Sequence, residues 1–501
     1  MQLKHLCQVA GIHCPENAEE LLLTGIETNS ACVRGGEMFI CIRGLHKDGH
    51  SFIADAIKRG AACILVDRYA QIPEDTDTVF LQCRDTREAC AYLYDAWYGF
   101  PDKGMKLIGV TGTNGKTSVS HMIRAILEGS LHKCGLIGTL GATSADKSLS
   151  QGGDSAVSNM TTPDPKELYR ILRQMADDGV EYVVMETSSH ALSLKKLAPL
   201  SFECAVFTNL TPEHLDFHGT MEHYADAKAQ LFERAKISVI NGDSPYAGRM
   251  KRSARGGCIV CSELSGDADY RAEGIELLGE RGCTYRLRSV CTRLQISYPI
   301  AGRFGVMNSM QAAVAALALG CNPATVKSVL ASMPPVKGRM ERLRLGVGAD
   351  ITVIIDYAHT PDALETLLLC AKEMQRGNVW VVFGCGGDRD RTKRATMGAI
   401  ASRLADRVIV TSDNSRSEDP MSIIEQIVAG IPSHVDYRIV PNRERAIRYA
   451  ILNAGKGDTV LLAGKGHEEY EITKDGKHRF SEREIALAAY ADRKKEQCGE
   501  Y

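Results

Sequence analysis

The chain has 501 residues, a formal net charge of −2, 44% hydrophobic and 24% charged residues. That length exceeds one ordinary core and predicts two to four domains of a soluble α/β-type globular protein. The near-neutral balance gives no global drive toward nucleic acid or anionic membrane, no run of about 18 apolar residues is present to span a bilayer, and the 17 cysteines, scattered through apolar stretches, read as reduced buried thiols of a cytoplasmic protein rather than as zinc ligands.

Residues 1 to about 100 hold short apolar runs, Met38–Ile42 and Ala62–Val66, separated by polar turns such as Arg34-Gly35-Gly36. They predict a small α/β domain. The start lacks the apolar core of a secretory signal, and Phe100–Gly104 reads as a linker. Next, Lys106–Thr111 is a β-type run and Thr117 opens an amphipathic helix. Between them lies Gly112-Thr113-Asn114-Gly115-Lys116-Thr117, followed by Ser118. Glycines let backbone N–H groups curl around phosphate oxygens at a helix N-terminus. Lys116 then reaches the β- and γ-phosphates, and the Thr117 hydroxyl suits Mg²⁺. Val110 stands where the full GxxxxGK[ST] pattern has its first glycine; a plain glycine turn with a surface lysine is the bland alternative. Such a loop does not separate a motor, a GTPase, a kinase or a ligase.

Strand candidates at Tyr182–Met185 and Ala205–Thr208 continue a largely parallel sheet with helices on both faces. Glu186 ends one, and His214 lies in the loop after the next. A carboxylate and an imidazole beside the phosphate loop suit a second divalent ion, although a lone loop histidine is more often a cap. Lys228 falls in a helical stretch, and periodicity alone makes it a solvated lysine. From about residue 338 four apolar runs, Thr352–Ile355, Val379–Phe383, Arg407–Val410 and Thr459–Leu462, each lead into a polar loop. In open α/β sheets ligands bind outside the carboxyl ends of the strands, so these loops are expected to converge on one rim.

GTNGKT, TTPDP, SSHAL, NLTPEHLDFHG, YADAKAQLF, GRMER, DYAHTPD, GGDRDR and GKGHE follow one another along essentially the whole chain. Together they resemble the Mur ligase family. The resemblance implies three domains: 1–101 for the UDP end of the precursor, 102–336 as a central P-loop mononucleotide-binding parallel sheet for ATP, and 337–501 as a mobile, Rossmann-like doubly wound sheet for the amino acid. It implies ATP and Mg²⁺ as cofactors, with Thr117 on the first ion. Glu186, His214 and a carbamylated Lys228 belong to the second. Lys116, Lys228, His214 and Glu186 form the implied catalytic set, and Asn308, Arg339 and Asp356 surround the nucleotide. Ser30 is placed at the uridine end, and Thr161, Thr162, Ser188 and Lys196 on the muramoyl-dipeptide. Arg391, Asp413, Asn414, Arg416, Gly464 and Glu468 are placed on the incoming amino acid.

The implied reaction activates the γ-carboxylate of UDP-N-acetylmuramoyl-L-alanyl-D-glutamate as an acyl phosphate, which the amine then attacks. Asp413-Asn414-Ser415-Arg416 resembles the DNPR motif of meso-diaminopimelate-adding members, with Ser for Pro. Arg416 suits the second carboxylate that L-lysine lacks. An L-lysine-adding enzyme, a folylpolyglutamate synthase-like ligase and a non-catalytic Mur-ligase-like binding protein are the alternatives. Small-molecule partners, no nucleic acid, no membrane insertion and a monomer complete the expectation. The chain departs from the family pattern at Asn29, Ala31, Leu194, Lys196, Gly305 and Ser415, positions that fall at the expected dipeptide contacts and at the turn before Arg416.

Overall fold

The computed structural model describes residues 1–498 apart from 45–46, 71, 73–75, 146, 150–159 and 375. Three main sheets follow one another along the chain. The first is all parallel, in the order β1 (Ile26–Glu27), β2 (Met38–Ile40), β3 (Cys63–Asp67), β4 (Val79–Cys83). β2 and β3 are buried throughout, which suits the continuous apolar runs of a covered parallel sheet.

The central sheet has eleven strands: β5 (Lys106–Thr111), β6 (Cys134–Gly138), β7 (Gly141–Ser144), β8 (Lys147–Ser148), β9 (Tyr182–Glu186), β10 (Phe202–Phe207), β11 (Ala235–Asn241), β12 (Gly257–Ser262), β13 (Tyr270–Leu277), β14 (Cys283–Arg288) and β15 (Arg293–Tyr298). Their spatial order is β15-β14-β13-β12-β11-β10-β5-β9-β6-β7-β8. The middle of the sheet is parallel, as the alternation of strands and helices predicts. Both edges are antiparallel, because short connections join successive strands there and leave no room for a crossover helix. Register aligns Val110 with Glu186 and Thr111 with Phe207. The carboxyl ends of β5, β9 and β10 therefore share one rim. The helix Lys116–Gly129 buries Val119, Met122, Ile123, Ile126 and Leu127, the i, i+3, i+4 stripe of an element packed on a sheet.

The C-terminal sheet runs β16 (Glu341–Arg342), β17 (Thr352–Asp356), β21 (Thr459–Ala463), β18 (Val379–Phe383), β19 (Arg407–Val410), β20 (Tyr437–Ile439). All pairs are parallel except β16–β17. Its four inner strands are the four expected runs, and their carboxyl ends fall together. A hairpin, β22 (Tyr470–Thr473) and β23 (Gly476–Arg479), stands apart. No helix among the described residues is long and apolar enough to cross a membrane.

Two buried arginines brace the C-terminal rim from beneath. Arg443, 1% exposed, donates to the carbonyls of Ser412 (3.0 Å) and Ala463 (2.7 Å) and to Glu482 (2.8 Å). Arg394 donates to both carboxylate oxygens of Glu418 (2.9 and 3.0 Å) and to the Gly386 carbonyl (3.2 Å).

The expected linker is a short turn, Pro101–Gly104, packed against the helix Pro165–Asp177, with its Asp102 beside Asp95 of the first domain's helix Thr86–Trp97. Asp95 on that helix is 4% exposed, and one oxygen each of Asp95 and Asp102 lacks a hydrogen-bond partner. Burial, then the neighbouring Asp102, pushes the Asp95 carboxyl up to about 7. Between the ordinary carboxylate range and that value the folded chain binds the proton and the unfolded chain does not. Stability from this group is therefore complete at acid pH and lost as pH rises through about 7. Asp95→Asn is expected to melt above the wild type at pH 8, with the gain shrinking toward pH 4; about 1 kcal/mol reads as roughly 2–4 °C in Tm. A difference in Tm that ignores pH would contradict this.

Candidate active site

The phosphate loop closes where the glycines permit it. Gly115 (φ 85°) caps the helix Lys116–Gly129, and a Cβ there would lie 2.7 Å from Asn308 Oδ1. A Cβ at Gly112 would overlap Thr208 Oγ1. Lys116 Nζ donates to the carbonyls of Gly112 (3.0 Å) and Thr113 (2.8 Å). Its pKa is lowered by burial, against the pull of Glu213 and Glu186.

The end of β9 is a hydrogen-bonded hub. Thr117 Oγ1 donates to Glu186 Oε2 at 3.0 Å, Thr139 Oγ1 to the same oxygen at 3.0 Å, and the Thr139 N–H to Oε1 at 2.9 Å. Thr162 Oγ1 donates to the Glu186 carbonyl (2.8 Å) and accepts from the Ser188 N–H (3.0 Å). The helix-capping Ser188 thereby joins Thr162 and Thr161 on one wall. Arg339 reaches across from the C-terminal domain to Thr117 Oγ1 (3.1 Å) while its guanidinium lies over the Tyr357 ring. Burial first, then His190, Lys116 and Lys228, hold the His214 imidazole down at about 3 in spite of Glu213. His214 is therefore neutral, with a lone pair available to a cation.

Lys228 is 1% exposed and donates to the Gly112 carbonyl at 2.8 Å, behind the loop rather than on the cavity wall. It is not the solvated lysine that periodicity suggests. Burial, and then Lys116, push its pKa well below the ordinary value. A hydroxyl, a carboxylate and a neutral imidazole make a donor set that fits a divalent cation. No group of three or more His, Cys, Asp or Glu is assembled among the described residues.

One cavity of about 1180 Å³ joins this wall to the C-terminal rim. Asp356, Asp413, Asn414, Arg416, Gly464 and Glu468 all line it. Asp356 accepts from the backbone N–H groups of Met340 (2.7 Å) and Ala358 (2.8 Å). Asn414 donates to Glu468 (2.7 Å) and accepts from the buried Lys465 (2.9 Å). Burial, then Asp413, raises the Glu468 pKa, whereas Lys465 and Arg443 keep Asp413 low against its own burial. Arg416 (φ 51°) donates to the Gly387 carbonyl at 2.7 Å, and burial and then Arg389 lower its pKa. Two guanidiniums thus face one end of the cavity, an arrangement that an anion relieves.

Besides Lys228, three of the expected site residues lie off the wall of this cavity. Arg391 pairs with Glu418 (3.2 Å) and leaves the cavity wall; Arg389 lines the cavity instead. The cause is the turn at Asp388 (φ 51°), whose N–H donates to Glu418 (2.7 Å) and aims alternate arginines to opposite sides. Ser30 is buried against Asp55, and Thr28 takes its place on the wall. Gly112 supplies the loop's crowded turn but does not line the cavity.

The departures are accommodated locally. Asn29 caps the turn over Ser30–Cys32 by accepting from the Ala31 N–H (3.1 Å). Lys196 pairs with Asp164 (2.7 Å) on the cavity wall, where Leu194 also lies. A Cβ at Gly305 would sit 3.1 Å from the cavity-lining Tyr298 ring. The Ser415 turn is held by Gly387 N–H to the Asn414 carbonyl (2.9 Å) and Glu418 N–H to the Ser415 carbonyl (3.0 Å). Sequence reasoning missed Thr139, Glu213, His359, Asp362 and Arg389; all but Thr139 lie within the recognised stretches, and only folding singles them out.

Comparison with known proteins gives the same picture over the whole chain. Residues 22–98 match the Mur ligase family catalytic domain, 110–316 the Mur ligase middle domain, and 338–466 the Mur ligase glutamate ligase domain. A UDP-N-acetylmuramoyl-L-alanyl-D-glutamate–2,6-diaminopimelate ligase of Geobacillus thermodenitrificans is 42% identical over 482 residues, 94% of this chain and 96% of that one. Its counterpart in Syntrophomonas wolfei is 39% identical over 97% and 98%. A solved structure of a ligase with that same name superposes with a TM-score of 0.69 at 30% identity, covering 99% of this chain and 100% of the other.

Proposed function

The chain belongs to the Mur ligase family, and from that premise we propose that it joins meso-diaminopimelate to UDP-N-acetylmuramoyl-L-alanyl-D-glutamate at the expense of ATP. The observation that carries this reading is one cavity with a phosphate loop on one wall and, at the far end, the paired guanidiniums of Arg389 and Arg416 beside Asp413 and Glu468. A diamino dicarboxylate presents anions and ammonium groups; the guanidiniums suit a carboxylate, and the two acidic side chains suit an amino end.

A carboxylate does not react with an amine at neutral pH because oxide leaves poorly, and phosphorylation supplies a better leaving group. The phosphate loop orients the donor, and the Lys116 ammonium faces the charge that develops in transfer. Mg²⁺ would be held from the protein side by Thr117 at one ion and by Glu186, His214 and carbamylated Lys228 at a second, and would supply charge neutralisation at the transferring phosphate. Thr161, Thr162, Ser188 and Lys196 present the dipeptide carboxylate. Lys228 acts from behind the loop, and its low pKa supports the carbamylated form, since the neutral amine is what attacks CO₂. The proposed domains are 1–101, 102–336 and 337–501, and the working species is a monomer.

Phosphate release with ATP, Mg²⁺ and the UDP-dipeptide tests the reading. Release is expected with meso-diaminopimelate and a UDP-tripeptide product, not with L-lysine or without amine. Release with lysine alone would retain the ligase and discard the Arg416 assignment.

A further inference from the structure

The loop Asp356–Asp362 of the C-terminal domain meets the central domain at two places that the reaction chemistry does not call on, Asp362 beside Asn114 and Thr211, and His359 beside Glu213. At one, Asn114 Nδ2 donates to Asp362 Oδ2 at 2.8 Å, across 248 residues of sequence. Asn114 is the tip of the phosphate loop, and its backbone is already fixed. Its N–H donates to Asn209 Oδ1 (2.9 Å), and its carbonyl accepts from Thr208 Oγ1 (2.6 Å) and Asn209 Nδ2 (3.1 Å). Only its side chain is left to report on another domain. Asp362 stands in the first turn of the helix Pro361–Met374, where the helix dipole favours a carboxylate.

At the second point His359 Nε2 lies 3.2 Å from Glu213 Oε1, while its Nδ1 lies 2.8 Å from the Tyr357 carbonyl. The His359 carbonyl accepts from Lys393 (2.8 Å), so backbone and ring are both fixed. Glu213 precedes His214 in the loop after β10. The two contacts thus grip the phosphate loop on one side and the cation-binding side on the other, from a single segment three residues apart.

We propose that Asp362 and His359 are positioning residues forming a two-point latch that registers the C-terminal domain against the phosphate loop, so that the amine-binding rim meets the activated carboxylate at a fixed offset. The proposal rests on the ligase reading for its kinetic consequence but not for its structural one. Misplacing reacting groups by about 1 Å can cost about a hundredfold in rate. Asp362→Ala is therefore expected to lower kcat by about ten- to a hundredfold, with KM for ATP and for the UDP-dipeptide held within about twofold. Asp362→Asn, whose carboxamide oxygen accepts the same hydrogen bond, is expected to recover most of that loss, and both variants should keep the wild-type melting midpoint.

Small-angle X-ray scattering of the full chain with ADP and Mg²⁺ supplies a readout free of turnover: wild type and Asp362→Asn should be more compact than Asp362→Ala. Unchanged kcat in Asp362→Ala, an Asn variant as impaired as the Ala variant, or equal compaction in all three would overturn the latch. Wild-type compaction without turnover on any amine would instead overturn the ligase reading and leave the latch standing.

Discussion

Arg416→Ala is expected to lower kcat/KM for meso-diaminopimelate by about a hundredfold or more, because stripping one partner from a desolvated, hydrogen-bonded charge pair costs about 2–5 kcal/mol. KM for ATP should not move, since Arg416 lies on the far rim and its fixed bonds go to Gly387 and Asn414. The comparison with L-lysine sharpens the test. Lysine has no distal carboxylate, so whatever slow rate it supports should change little, and the preference between the two amines should collapse. Arg416→Lys should recover only part of the loss, because a point charge does not reproduce the planar fork. Steady-state kinetics with both amines decides it; equal losses for both would place Arg416 in the framework of the rim rather than on the substrate.

Lys116→Met should be more severe on turnover and blind to the amine. A preorganised donor aimed at developing charge in a water-poor site is worth about 10²–10³ in kcat. Here the lysine is held between two backbone carbonyls, with Glu213 and Glu186 drawing its charge toward the cavity. The expected result is a loss of about 10³ in phosphate release with the UDP-dipeptide still bound, as titration calorimetry would read. Turnover within tenfold of wild type would remove Lys116 from the transfer step.

Much of this site was readable from the chain. The strand-turn-helix around Gly112–Thr117 carries its chemistry locally, and the four apolar runs after residue 338 end in polar loops that parallel pairing must gather. What the sequence hid were choices between equivalent neighbours and contacts over distance. Arg389 and Arg391 are interchangeable in Gly386-Gly387-Asp388-Arg389-Asp390-Arg391; the left-handed turn at Asp388 and Glu418 decide between them. Lys228 looks like any solvated helix lysine until the helix is laid against the Gly112 carbonyl. The antiparallel meander β13–β15 carries arginines on its strands, and its alternation is legible only once its partner strands are known. The His359–Glu213 contact joins loops 146 residues apart, beyond any local pattern.

The bracing beneath the rim bears on how such a protein can drift. The side chains of Arg443 and Glu482 are 0% and 2% exposed and are joined at 2.8 Å, so losing either alone strands a buried charge at a cost of about 3–5 kcal/mol. Neither position can be explored by single steps, and the two are expected to be inherited as a unit. Above them Arg416 and Glu468 line the cavity, where a substitution meets a ligand, while Asp413 is buried against Arg443 and Lys465 and belongs with the floor. The molecule thus divides its history into a floor that resists change and a ceiling on which new amine preferences can be tried one residue at a time.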